Sequence, residues 1–216
     1  MISSKMQEAM NQQVNAELYS AYLYLGMAAD FEESNLHGMA HWMQIQAKEE
    51  AGHALKFFKY IVERGGRVTL DAIAAPPSKW GSPHAIFDEV YKHERKVSSL
   101  IDKLVDLAAS EKDHASNAFL QWFVTEQVEE EANASDIQHQ LKMIGESKQA
   151  LFMLDRHLAQ RQEGIRRLRR LRRYRTRDSD RTASFPERDS RLRGLSKVSL
   201  LRRNQNRETE GKVVFL

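Results

Sequence analysis

The chain has 216 residues, a formal net charge of +3 and no cysteine. Its length supports one well-buried domain with residues to spare, and the missing cysteine excludes disulfides, thiolate zinc sites and iron–sulfur clusters. The charge conceals two opposite parts: residues 1–160 carry −8 (15 Lys and Arg, 23 Asp and Glu), whereas residues 161–216 carry +11 (18 against 7). The opening Met1-Ile2-Ser3-Ser4-Lys5-Met6-Gln7 has no apolar run, so it does not read as a secretory signal. No stretch reaches the roughly 20 apolar residues of a membrane span, and the expected location is cytoplasmic.

Residues 1 to about 160 read as helix almost throughout. Ser4-Lys5-Met6-Gln7 fits a capping box that opens a first helix running to about Glu33. A turn signal, Glu33-Ser34-Asn35-Leu36-His37-Gly38, leads into a second helix, which Gly65-Gly66 stops. A non-helical connection carrying Pro76-Pro77 follows. Ser82-Pro83, an N-cap with proline at the first helical position, starts a third helix to about Ala109. Ser110-Glu111-Lys112-Asp113 turns the chain into a fourth helix to about Ile144, and Ser147 caps a short fifth through about Gln160. Long helices with no strand-period pattern predict an all-α four-helix bundle with a short fifth helix.

Each long helix carries an apolar stripe at helical spacing. The stripes are Met10, Val14, Glu17, Ala21, Leu25, Ala28; Met39, Met43, Ala47, Glu50, Ala54, Phe57, Ile61; Phe87, Val90, Glu94, Val97, Ile101, Leu104, Ala108; and Leu120, Phe123, Gln127, Glu130, Ala134, Ile137, Leu141. A carboxylate interrupts every stripe near its middle, joined by His53 on the second and Gln127 on the fourth. A single glutamate on a stripe is usually an edge residue. Four on four stripes need compensation, because buried anions repel one another and are almost never left unpaired. A divalent cation supplies it; no Lys or Arg stands on the stripes at that level.

Spacing sharpens the argument. Glu17 and Glu50 are 33 residues apart, as are Glu94 and Gln127, and both midpoints fall on the turn signals. Each residue thus lies about 16 residues, or roughly 25 Å, from its turn, so each antiparallel hairpin places its polar residues at one level. The 17-residue connection Gly65 to Gly81 spans at most about 60 Å. It can run the bundle's length and bring both levels together.

Glu17, Glu50-x-x-His53, Glu94 and Gln127-x-x-Glu130 resemble the dinuclear iron ligands of the bacterial and archaeal non-haem ferritins. The likeness extends through Asn15-Ala16-Glu17-Leu18-Tyr19-Ser20-Ala21-Tyr22-Leu23-Tyr24 and the crossover, covers residues 1 to about 160, and leaves out the tail. It implies one iron held by Glu17, Glu50 and His53. A second is held by Glu50, Glu94 and Glu130 with Gln127 nearby, Glu50 bridging the two. It further implies ferroxidase activity: Fe(II) is oxidised by dioxygen or peroxide and stored as ferric mineral in a shell of 24 subunits. Tyr24 would serve as electron donor or as hydrogen-bond partner of a ligand, or simply pack. Glu49, Glu126 and Glu129, with Glu130, resemble a third iron site facing the cavity; the alternative is a solvated acidic face. Gln127-x-x-Glu130 departs from the Glu-x-x-His of symmetric di-iron sites and suits an iron that must leave. No haem is expected, since Ala51 and Gly52 precede His53 where bacterioferritins place a methionine ligand. Two rivals are a DNA-coating mini-ferritin, whose ligands come from two subunits, and a non-enzymatic bundle with buried ion pairs.

Beyond Gln160 the composition changes. Eight arginines crowd into 166–177, and a Ser/Asp/Arg/Asn-rich stretch follows. This basic tail is expected to be disordered. Three readings are open for it: a stretch not selected for this fold, such as a shifted frame; a passive solvated tail; or a segment binding nucleic acid or other polyanions.

Overall fold

The computed structural model of the protein describes residues 1–162; the expectations for the basic tail lie outside them from residue 163 on. The helices are α1 (Ser4–Glu33), α2 (His37–Glu63), α3 (Pro83–Ser110), α4 (His114–Ile144) and α5 (Lys148–Leu158), and the described residues contain no strand. Two of the five starts carry the serine cap their sequences lead one to expect: Ser82 accepts from the Ala85 amide and Ser147 from Ala150. At α4 the cap is Asp113, the last residue of the expected turn, accepting from the Ser116 amide. At α1 the cap is Ser3, one residue before the expected Ser4, accepting from the Met6 amide at 3.1 Å. Glycine is required at Gly145, where the chain leaves α4 with φ +55°.

α1 pairs with α2 and α3 with α4, and the two hairpins meet along α1 and α3. The buried apolar residues form two clusters. One holds Leu23 to Phe31 of α1, Met39 to Ala47 of α2, Ile86 to Val90 of α3 and Ala134 to Leu141 of α4. The other holds Met6 to Val14, Ala54 to Ile61, Val97 to Ala108, and Leu120 with Phe123. On every helix the polar stripe residues fall between these two sets, as the 33-residue spacings require.

The crossover runs alongside α1, and three amides at four-residue steps satisfy its extended backbone. Gln7 accepts from the Arg67 amide at 2.8 Å. Asn11 donates to the Arg67 carbonyl and accepts from the Thr69 amide, both at 3.1 Å, and Asn15 donates to the Asp71 carbonyl at 3.2 Å. Further along, a side chain at Gly26 would bring its Cβ to 3.1 Å from the Pro76 ring. The connection therefore travels from the start of α1 towards its end, as a length-spanning crossover must.

One stripe is corrected by the structure. Ala21 is only half-buried and Leu25 is exposed, while Ser20, Leu23, Tyr24, Met27 and Phe31 face the core. The 3.6-residue period carries the buried face past Ala21 within a turn of Glu17. Leu25 belongs instead to a set of exposed apolar residues on the other side: Tyr22 on α1, Leu55, Phe58 and Val62 on α2, and Leu70 and Ile73 in the crossover.

α5 packs on α2 so closely that a Cβ on Gly38 would lie 1.8 Å from the Asp155 carbonyl oxygen. Leu36 cannot cap α2 with its side chain; Asp155 does so from α5, accepting from the Met39 amide at 2.8 Å. Gly38→Ala is expected to destabilise the chain by about 1–3 kcal/mol through this clash. Gly52→Ala, where the added Cβ meets nothing within 4 Å, should be neutral or slightly stabilising. Equal unfolding midpoints for the two variants in denaturant would refute this packing of α5.

Candidate metal centre

Four helices bring Glu17, Glu50, His53, Glu94, Gln127 and Glu130 into the layer between the apolar clusters, none more than 6% exposed. Glu17, Glu50 and His53 each direct one ligand atom into a common space, all within 4.8 Å of one another. His53 Nδ1 lies 3.3 Å from Glu50 Oε2. Edge-on rings of Trp122 and Phe123 flank the imidazole at 5.4 and 5.9 Å and restrict its rotation. Among the described residues no lysine or arginine pairs with Glu17, Glu50 or Glu94.

Hydrogen bonds tie the other carboxylates into the same layer. Gln46 Nε2 donates to Glu50 Oε1 at 3.2 Å and to Glu130 Oε2 at 2.8 Å, so one amide spans α2 and α4. Gln127 Nε2 donates to Glu94 at 3.2 Å, joining α4 to α3. Tyr24, fully buried, donates its hydroxyl to Glu94 Oε1. Gln13 Nε2 donates to Glu17 Oε1 at 2.9 Å, while Glu17 Oε2 is buried with no partner.

Burial pushes the Glu17 carboxyl up to about 8, assisted by the neighbouring Glu50. Burial, with Glu130 beside it, raises Glu94 to about 8. Glu50 is driven up by burial and by Glu94 and Glu130 together. The Tyr24 phenol is raised well above its ordinary value by burial and Glu94, so it stays a hydrogen-bond donor. Closely spaced buried carboxyls, an imidazole and an orphaned buried oxygen fit divalent cations, which offset the cost of burying the carboxylates and give Glu17 Oε2 a partner. Oxygen and nitrogen ligands with no thiolate suit iron.

Glu49, Glu126 and Glu129 lie half-buried one residue off the core stripes. Arg161 pairs with Glu49, so a cation arriving there meets an ion pair rather than a bare carboxylate. Sequence reasoning passed over Gln13 and Gln46, although each sits four residues before a ligand, the spacing at which an amide reaches a carboxylate on one helix face. His93 is half-buried, its Nε2 is 2.8 Å from Ser20 Oγ, its ring stands edge-on to Tyr24, and burial lowers it to about 4.

Comparison with known proteins agrees with this architecture. The family model for the ferritin-like domain matches residues 7–144. The chain is 48% identical over 161 residues to a bacterial non-heme ferritin of Bacteroides fragilis, spanning all of that protein and 74% of this one. It is 37% identical over 158 residues to a probable bacterial non-heme ferritin-like protein of Haemophilus influenzae, covering 96% of that protein and 73% of this one. Among solved structures, an open pore ferritin from Archaeoglobus fulgidus superposes with a TM-score of 0.74 at 54% identity, over 75% of this chain and 99% of the other. The chain therefore belongs to the ferritin-like family of iron-storage proteins.

Proposed function

We propose that the chain oxidises Fe(II) at a dinuclear site within one subunit and delivers the ferric product to the cavity of a homo-oligomeric shell. The observation that carries this is the buried layer itself, with four carboxylates and one imidazole from four helices of the same chain. A site complete in one subunit also separates this reading from the mini-ferritin alternative, whose ligands are shared between subunits. Glu17, Glu50 and His53 hold one Fe(II); Glu50, Glu94 and Glu130 hold the other, with Gln127 beside it and Glu50 in common. Two Fe(II) give up one electron each, and one dioxygen is reduced to peroxide. Metal entry displaces the protons that burial keeps on Glu17, Glu50 and Glu94. Tyr24 acts through Glu94, holding one of its oxygens as charge at the site changes. Glu49, Glu126 and Glu129, with Glu130, would form a third iron site once iron displaces Arg161 from Glu49. No step calls for haem.

A shell of 24 copies would cover the apolar face of Tyr22, Leu25, Leu55, Phe58 and Val62, and the exposed Phe152 and Met153 of α5. Among the described residues no helix is long and apolar enough to cross a membrane, and the proposed location is the cytoplasm. Anaerobic addition of Fe(II) to the assembled protein should show two tightly bound ions per chain, with light scattering reporting a large closed particle. A stable monomer at micromolar concentration, or one ion or none per chain, would overturn the reading.

A further inference from the structure

Among the described residues beyond α5, Arg161 reaches towards the metal layer. Arg161 lies on α2: its guanidinium covers the Trp42 ring at 4.4 Å, and Nη1 donates to the Trp42 carbonyl at 3.1 Å. Nη2 donates to Gln46 Oε1 at 2.6 Å and to the Glu49 carboxylate. His41 Nε2 is 2.9 Å from the Arg161 backbone carbonyl and anchors the segment from the other side. The guanidinium is largely buried, with 10% side-chain exposure, so its contacts are weakly screened.

The contact with Gln46 has a directional consequence. A guanidinium only donates hydrogen bonds, so the Gln46 atom facing it must be the carbonyl oxygen. The amide nitrogen then points towards Glu50 and Glu130, to both of which it donates. These belong to the second proposed iron, and Glu50 is shared. Without Arg161 the Gln46 carbonyl loses this donor, the amide is free to turn, and Gln46 no longer fixes the gap between α2 and α4 at the site.

We propose that Arg161 is a positioning residue for the dinuclear centre, orienting Gln46 so that its amide holds Glu50 and Glu130 in place for the second metal ion. This rests on the proposed function, deepening it from the ligands to the residue that sets one pair of them. It also links the stretch after α5 to the chemistry, so displacement of that stretch alters the second site without touching a ligand.

The test uses full-length, assembled protein and Zn(II), a divalent ion that is not oxidised, followed by calorimetry. Wild type should take up two ions per chain in two steps. Arg161→Ala and Gln46→Leu should each leave one step near wild type and weaken the other about tenfold or more, the usual effect of removing a group that orients a ligand. Arg161→Lys should recover only part of the loss, because a point charge cannot serve the Trp42 carbonyl and Gln46 together. With Fe(II), KM should rise more than kcat falls. Two wild-type steps in assembled Arg161→Ala, or equal weakening of both, would overturn the proposal. If Arg161→Ala does not assemble, Gln46→Leu decides: it keeps the clamp on Trp42 and Glu49, and an unchanged second step overturns the relay. Fewer than two ions in wild type overturns the proposed function and the relay with it; normal wild-type binding with unaltered variants overturns the relay alone.

Discussion

Glu50→Ala is expected to abolish rapid Fe(II) oxidation while leaving the shell intact. Glu50 is the residue that both proposed irons share, and its carboxyl faces His53 on one side and the Gln46 amide on the other. Losing a group that merely orients a ligand costs 10–100-fold; losing a ligand common to two ions should reach at least the upper end, about 100-fold in initial rate. Folding should not suffer in proportion. In the metal-free chain Glu50 is an acid raised by burial and by its neighbours Glu94 and Glu130, so its removal takes away a costly buried polar group as well as breaking one hydrogen bond. Oxidation followed by ferric absorbance, with a thermal midpoint measured beside it, separates the two effects. A wild-type rate in the variant would remove Glu50 from the centre. A collapsed midpoint with a normal rate per folded chain would make it a purely structural residue.

The second large effect is a fall in the stability of the metal-free protein as the pH rises from 6.5 to 8. Glu17 and Glu94 have folded-state values near 8 against an ordinary 4.5. A raised value means the folded state binds more protons than the unfolded one. The stability so gained is complete below about 4.5 and is lost as the pH rises through about 8. Each group changes stability by up to about 1.4 kcal/mol per pH unit within that range. His93 acts in the opposite sense: lowered to about 4, it costs stability as the pH falls from 6.5 through 4, which is why the window begins at 6.5. Asp113 is silent there. Partial burial pushes it up, but hydrogen bonds from Ser116 and Arg64 outweigh this and hold it near 2. Zn(II) should reverse the trend, since its ligands must lose their protons; the rise in thermal midpoint on adding Zn(II) should be larger at pH 8 than at pH 6.5. A metal-free midpoint that is flat or climbs across the window would show that the carboxyls are already compensated by other means.

Much of this architecture was legible in the residues before any fold was known. The stripes of α2, α3 and α4 hold residue for residue, because a helix buried along one side must repeat its apolar positions at the helical period. The level of the polar layer followed from spacing alone: two 33-residue intervals centred on two turns leave an antiparallel hairpin no other register. Two of the caps, Ser82 and Ser147, could be named because a serine ahead of a helical run has one obvious use.

Other features depend on which surfaces meet, and local pattern is blind to that. Leu25 continues an apolar run and looks buried, yet only packing of α1 against its neighbours shows that Tyr24 turns inward and Leu25 outward. The cap of α2 comes from Asp155, 116 residues away, so no window around Leu36 contains it. Gln46 stands within helical reach of Glu50, but its bond to Glu130 exists only because α4 lies across from α2. Arg161 looks like the first residue of a basic tail, and becomes part of the centre's support only when α5 folds back over Trp42. Periodicity and spacing act along the chain and can be read from it; side-chain partners set by the approach of separate helices arise only once those helices have docked.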